Sequence, residues 1–140
     1  MTATVTATRD NFTSLVEAPG TVLVDFWAAW CGPCRMFAPV FEDAAQRHPD
    51  LVFAKVDTES EQELAAMFRV RSIPTLMVVR DGIVVYARPG AVPKPALEQL
   101  IEAVGALDMD EVRREVAQQA EAARPETAQG TAEAARGADR

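Results

Sequence analysis

The strongest constraint on this chain is a change of period around residue 30. Thr21-Val22-Leu23-Val24-Asp25-Phe26-Trp27 is an apolar run broken only by Asp25. Such a run predicts a central strand covered on both faces. Trp30-Cys31-Gly32-Pro33-Cys34 follows, and then Met36, Phe37, Val40, Phe41, Ala44 and Ala45 recur at helical intervals. The chain must therefore pack a helix onto a buried strand. The hand-over between the two holds the only two cysteines in 140 residues. Three positions apart at a helix start, they read as a reversible dithiol/disulfide pair.

The flanking pattern supplies the rest of a sheet. Val5 and Ala7 alternate with threonines and predict a first strand. Asp10 is placed to cap a short helix, 11–18, that buries Phe12, Leu15 and Val16. Pro39 should kink the helix that follows Cys31, and His48-Pro49-Asp50 should end it. Residues 51–57 predict a third strand, and 59–68 a helix burying Leu64, Ala65 and Phe68. Residues 75–80 and 83–88 predict two strands joined by Asp81-Gly82, a strong hairpin signal. Residues 93–107 predict a last helix with Leu97, Leu100, Ile101 and Val104 on one face. The order is βαβαβαββα: an α/β fold with a central mixed sheet, parallel first and closed by an antiparallel hairpin, flanked by helices.

Composition changes after Leu107. Of the 33 residues 108–140, 9 are alanine and almost none are large and apolar, which is too little to fold alone. Asp108 and Glu111 could form a capping box for a helix running to about Arg124, with Met109, Val112 and Val116 as its apolar stripe. Pro125, Gly130 and Gly137 argue against helix beyond it. The expected division is one domain over 1–107 and an extension over 108–140, partly helical or disordered. The extension reads as a solubilising tail, with a partner-binding helix as the alternative.

Net charge is −7, spread as −4 over 1–107 and −3 over 108–140. That argues against nucleic-acid binding, which needs a basic face, and against attraction to anionic lipid. No secretory signal is visible and no run approaches a membrane span, so a cytoplasmic protein is expected. In that compartment a cysteine pair is more often catalytic than structural. A zinc site would need further ligands, and His48 is the only other soft candidate. It reads as a solvated helix-end residue. A c-type haem motif would need His where Arg35 stands.

Cysteine is a nucleophile only as thiolate. At the helix start, unpaired N–H groups and the helix dipole stabilise that anion on Cys31. Pro33 fits the first turn, where its missing N–H costs nothing. The expected cycle is attack of an exposed Cys31 on a substrate disulfide, then attack of a sheltered Cys34 on Cys31. The second step needs Cys34 deprotonated. Asp25, buried in an apolar strand, should have its pKa raised into a range useful for proton transfer. Lys55 on the neighbouring strand offers it a partner. Trp27 reads as core and Trp30 as surface.

With these residues assembled, the chain resembles the thioredoxin family. Residues 24–35, Val-Asp-Phe-Trp-Ala-Ala-Trp-Cys-Gly-Pro-Cys-Arg, match its active-site signature, and Pro39, Lys55, Ile73-Pro74-Thr75, Gly82 and Gly90 match further landmarks. The likeness covers roughly residues 3–107. It implies the thioredoxin fold and a monomeric protein-disulfide reductase with no bound cofactor. It also implies a cis Ile73–Pro74 bond beside the cysteines, and an apolar docking surface from Trp30, Gly32, Pro33, Ile73, Pro74, Gly90 and Ala91. Client proteins with disulfides are the implied substrates, and a separate thioredoxin reductase would return electrons from NADPH. Two features depart from the pattern: Val92-Pro93-Lys94-Pro95 lacks the usual side-chain cap of the last helix, and the family's short members lack the tail. Competing readings are an oxidase or isomerase, which Gly-Pro between the cysteines disfavours, and a non-enzymatic binding subunit.

Overall fold

A computed structural model describes residues 2–123. Its strands are β1 (Val5–Thr6), β2 (Thr21–Trp27), β3 (Val52–Asp57), β4 (Thr75–Arg80) and β5 (Ile83–Pro89), in one sheet of order β1-β3-β2-β4-β5. β3 runs parallel to both β1 and β2, whereas β4 is antiparallel to β2 and to β5. The expected element order and mixed sheet are both present. β2 lies at the centre, so its first six residues are all buried. The β4–β5 hairpin turns at Asp81 and Gly82, both at positive φ, as a tight primed turn requires.

The helices of the first unit are α1 (Phe12–Glu17), α2 (Gly32–Arg47), α3 (Gln62–Met67) and α4 (Lys94–Gly105). Strand alternation divides the core in two. Leu23, Phe53, Leu76 and Val78 pack with Phe37 and Phe41 of α2 and with Leu97 and Ile101 of α4. Val22, Val24, Phe26, Ala54, Val56 and Met77 form the opposite face with Phe12 of α1 and Leu64 of α3. Asp25 follows Leu23 in period two, so it belongs to the face that α2 covers.

Several local expectations are corrected. Asp10 does not cap α1. The Asn11 side chain organises that entry, accepting from the Thr8 N–H at 2.7 Å and donating to the Thr6 carbonyl at 3.0 Å. α3 begins at Gln62, not Glu59, because the Asp57 carboxylate accepts the N–H groups of Glu59 (2.9 Å) and Ser60 (3.4 Å) and holds them in a turn. Met36 is 76% exposed, because the buried stripe of α2 runs through Cys34, Phe37, Phe41, Ala44 and Ala45, about 100° around the helix. His48 is not a free solvated residue. Its Nε2 lies 2.7 Å from Glu98 Oε2 on α4, and its ring stacks on Phe53. Arg47 also pairs with Glu98, so the end of α2 is ionically tied to α4.

α4 starts at Pro93 without a side-chain cap, as its sequence implies. Its far end is capped instead, because the Arg80 guanidinium donates to the carbonyls of Val104 (2.5 Å) and Gly105 (3.1 Å). The chain divides into two compact units between Ala106 and Leu107. The second contains α5 (Met109–Ala122). Asp108 caps it, accepting from the N–H groups of Asp110 (3.0 Å) and Glu111 (3.3 Å). The expectations for Pro125, Gly130 and Gly137 fall outside the described residues.

Candidate active site

β2 ends at Trp27 and α2 begins at Gly32, so the cysteine pair occupies the first turn of α2 at the end of the central strand. Cys31 is the N-cap residue, in extended conformation, and Pro33 sits in the first turn. The Cys34 backbone N–H donates to Cys31 Sγ at 3.2 Å, so one of the helix's unpaired donors points directly at that sulfur. Cys31 and Cys34 are joined by a disulfide, with Cα atoms 5.2 Å apart.

Both cysteines are buried, Cys31 at 4% and Cys34 at 2% exposure. The expected contrast between an exposed Cys31 and a sheltered Cys34 is therefore absent in the disulfide form. Ala28 packs with both, and Trp27 and Ile73 close over them. The Ile73–Pro74 peptide is cis, and the Ile73 carbonyl oxygen lies 3.5 Å from Cys31 Sγ. The Gly90 N–H donates to the Pro74 carbonyl at 2.7 Å, with Gly90 at φ +109°. Two loops that the sequence separates by 16 residues are thus joined beside the cysteines. Around them Trp30, Pro33, Gly90 and Ala91 are exposed, Gly32 and Ile73 half-buried, and Pro74 buried.

Asp25 is fully buried, and neither of its oxygens has a hydrogen-bond partner. Loss of hydration pushes its pKa up to about 7, against a smaller opposing pull from the charge of Lys55. Lys55 is the register partner of Asp25 across β2 and β3. Its ammonium lies over the Trp27 ring, 4.8 Å from the centroid, so it acts on Asp25 through space. A cavity of about 290 Å³ lies beside Lys55 and Trp27, lined also by Thr6, Ala7, Thr8, Asp57, Ser60 and Glu61.

One contact has no signal in the sequence. The Trp30 indole Nε1 donates to Glu59 Oε1 at 2.5 Å. The partners are 29 positions apart, and the sequence placed Glu59 at the start of a helix, not beside Trp30. Among the described residues, no cluster of three or more His, Cys, Asp or Glu side chains could hold a metal ion. No described helix is long and apolar enough to cross a membrane.

A paired Cys-x-x-Cys at a helix N-terminus, following the strand that carries a buried carboxyl, defines the site of a thiol–disulfide oxidoreductase. The thioredoxin family model matches residues 3–103. The Bacillus subtilis thioredoxin is 48% identical over 100 residues, covering 71% of this chain and 95% of that protein. The Streptomyces coelicolor protein "Putative thioredoxin 2" is 56% identical over 119 residues, 85% of this chain and 89% of its own length. A stretch of 119 residues ends no earlier than position 119, so this likeness runs into α5. A solved structure of a mutant thioredoxin from Halobacterium salinarum superposes with a TM-score of 0.69 at 36% identity, covering 74% of this chain and 91% of that one. The chain belongs to the thioredoxin family. It is a protein-disulfide oxidoreductase with the thioredoxin fold.

Proposed function

We propose that the chain works in the reducing direction, as a general protein-disulfide reductase of the cytoplasm. Cys31 is the nucleophile and Cys34 the resolving thiol. The observation that carries the choice of Cys31 as nucleophile is the Cys34 N–H donated to Cys31 Sγ, which favours negative charge on Cys31. The Cys31 thiolate attacks a client disulfide, forming a mixed disulfide and expelling one client thiolate. The Cys34 thiolate then attacks Cys31 Sγ. The second client sulfur leaves, and Cys31–Cys34 is oxidised as the client gains two electrons. Asp25 takes the Cys34 proton, because a buried carboxyl of pKa about 7 can accept it at neutral pH. Lys55 tempers that pKa. Gly32-Pro33, without a His between the cysteines, favours a reducing pair over an oxidising one.

Trp30, Gly32, Pro33, Ile73, Pro74, Gly90 and Ala91 form the docking face for an extended client segment. The redox unit is residues 1–107, acting as a monomer with no bound cofactor, and residues 108–140 are an accessory extension. A thioredoxin reductase using NADPH restores the dithiol. The test is NADPH-dependent turnover of a generic disulfide protein with such a reductase. Steady oxidation of NADPH that requires both cysteines supports the reading. A reduction potential near that of an oxidising compartment would overturn the direction.

A further inference from the structure

We propose that Met36 is a specificity-determining residue, giving an adaptable apolar contact to client segments with a large apolar side chain beside the reactive cysteine. The inference rests on the reading of Gly32 and Pro33 as docking residues. Met36 is 76% exposed, more than any other large apolar side chain among the described residues. No core cluster includes it, so the fold would be served as well by a polar residue there.

Helix geometry says where this side chain lies. Met36 follows Pro33 by three residues and Gly32 by four, all within α2. At about 100° per residue its direction falls between theirs, about 40° from Gly32 and about 60° from Pro33. The buried stripe at Phe37 and Phe41 is about 100–140° away. Helical side chains lean toward the N-terminus, so Met36 covers the preceding turn, the one that holds Gly32 and Pro33. A Cβ on Gly32 would meet no side chain within 4 Å beyond its chain neighbours, so the space over Gly32 is open. A client side chain entering it has Pro33 on one side and Met36 on the other. Pro33 is rigid, whereas the unbranched thioether of Met36 follows side chains of different shape. Apolar side chains gain burial against it and small polar ones do not.

The experiment uses two peptides, each with one cysteine in a disulfide with 2-nitro-5-thiobenzoate. Leucine flanks that cysteine in one peptide and serine in the other. The prereduced full chain is oxidised to the Cys31–Cys34 disulfide as the peptide thiol and the thionitrobenzoate are released, and absorbance follows the second product. Each rate is referred to that with 5,5′-dithiobis(2-nitrobenzoate), a small disulfide that makes little use of the docking face. The wild type should favour the leucine peptide. Met36→Gln keeps length and helix propensity but is polar, and should cut that preference about four- to tenfold. Met36→Leu should retain most of it. Trp30→Ser should raise KM for insulin, with dithiothreitol as the recycling reductant.

If Trp30→Ser raises the insulin KM and Met36→Gln leaves the leucine preference intact, the role of Met36 is overturned while the docking reading stands. If Met36→Gln slows both peptides and the small disulfide alike, Met36 acts on the dithiol and the proposal is wrong. A wild type indifferent to the flanking residue overturns it too. If Trp30→Ser leaves the insulin KM unchanged, the docking reading fails and takes the proposal with it.

Discussion

Asp25 and Lys55 face each other across the parallel β2–β3 pair, yet no hydrogen bond joins them. The carboxyl is fully buried and unpartnered, and the ammonium rests on Trp27. An ionised carboxylate in this position is costly, and Lys55 offsets only part of the cost. The stability of the fold and the proton transfer proposed for Asp25 therefore pull in opposite directions.

The stability side has a definite sign. Burial raises the Asp25 pKa from its ordinary 3.8 to about 7. The folded state thus binds the proton more tightly than the unfolded state does. The stabilisation is fully present below pH ~4 and is lost as pH rises through ~7. At about 1.4 kcal/mol per pH unit, the loss is at most roughly 4 kcal/mol. Asp25→Asn abolishes this dependence. Urea unfolding of the oxidised protein should show the stability of Asp25→Asn gaining on wild type between pH 4 and pH 8. A gap that does not change with pH would show that Asp25 is not charging inside the fold.

The kinetic side has the same origin. Asp25→Asn should slow release of the client from the mixed disulfide by a factor on the order of 10², while initial attack by Cys31 changes little. Wild-type release should rise with pH through about 7, where Asp25 loses its proton. Lys55→Met removes the positive charge that lowers the Asp25 pKa, so the same profile should move to higher pH. Stopped-flow separation of the two steps checks both statements. Equal slowing of attack and release in Asp25→Asn would remove its proton-transfer role.

The division of labour between the sulfurs is tested by trapping. Cys34→Ser should accumulate clients covalently on Cys31, and Cys31→Ser should accumulate almost none, as mass spectrometry of the adducts would show. Adducts found mainly on Cys34 would reverse the assignment.

Gly90 links the two loops of the proposed docking face. Its φ of +109° is one that L side chains rarely adopt, and its N–H holds the Pro74 carbonyl. A Cβ there meets no atom within 4 Å, so the cost of Gly90→Ala is backbone strain without a clash. The variant should lose about 1–2 kcal/mol of stability by thermal or urea unfolding and should dock insulin more weakly. Unchanged stability together with unchanged KM would mean that the loop relaxes freely and that the bond to Pro74 does not shape the face.

Much of the fold was legible because its signals are local. The apolar run at Thr21–Trp27 specifies a central strand, and Asp81-Gly82 specifies a hairpin, through contacts a few residues long. The cysteine pair was legible for the same reason: helix start, Pro33 and spacing lie within five residues. The errors fell where side chains compete for backbone groups or for a helix face. Asn11 displaced Asp10 as organiser of α1, Asp57 delayed α3, and Met36 fell just outside the stripe that meets the sheet. His48 looked solvated because its partner, Glu98, lies 50 residues away.

The sequence alone determined that a redox pair begins a helix and that the strand before it buries a carboxyl, since strand periodicity, helix-start chemistry and the rarity of an Asp in an apolar run are properties of short segments. Tertiary structure decided what surrounds that pair. It set the Ile73 carbonyl 3.5 Å from Cys31 Sγ, Gly90 on Pro74, Glu59 on Trp30 and Lys55 over Trp27. It also buried both sulfurs, where the sequence suggested one exposed thiol. Each of these depends on which strands lie side by side and where their ends fall, and no local spacing carries that information.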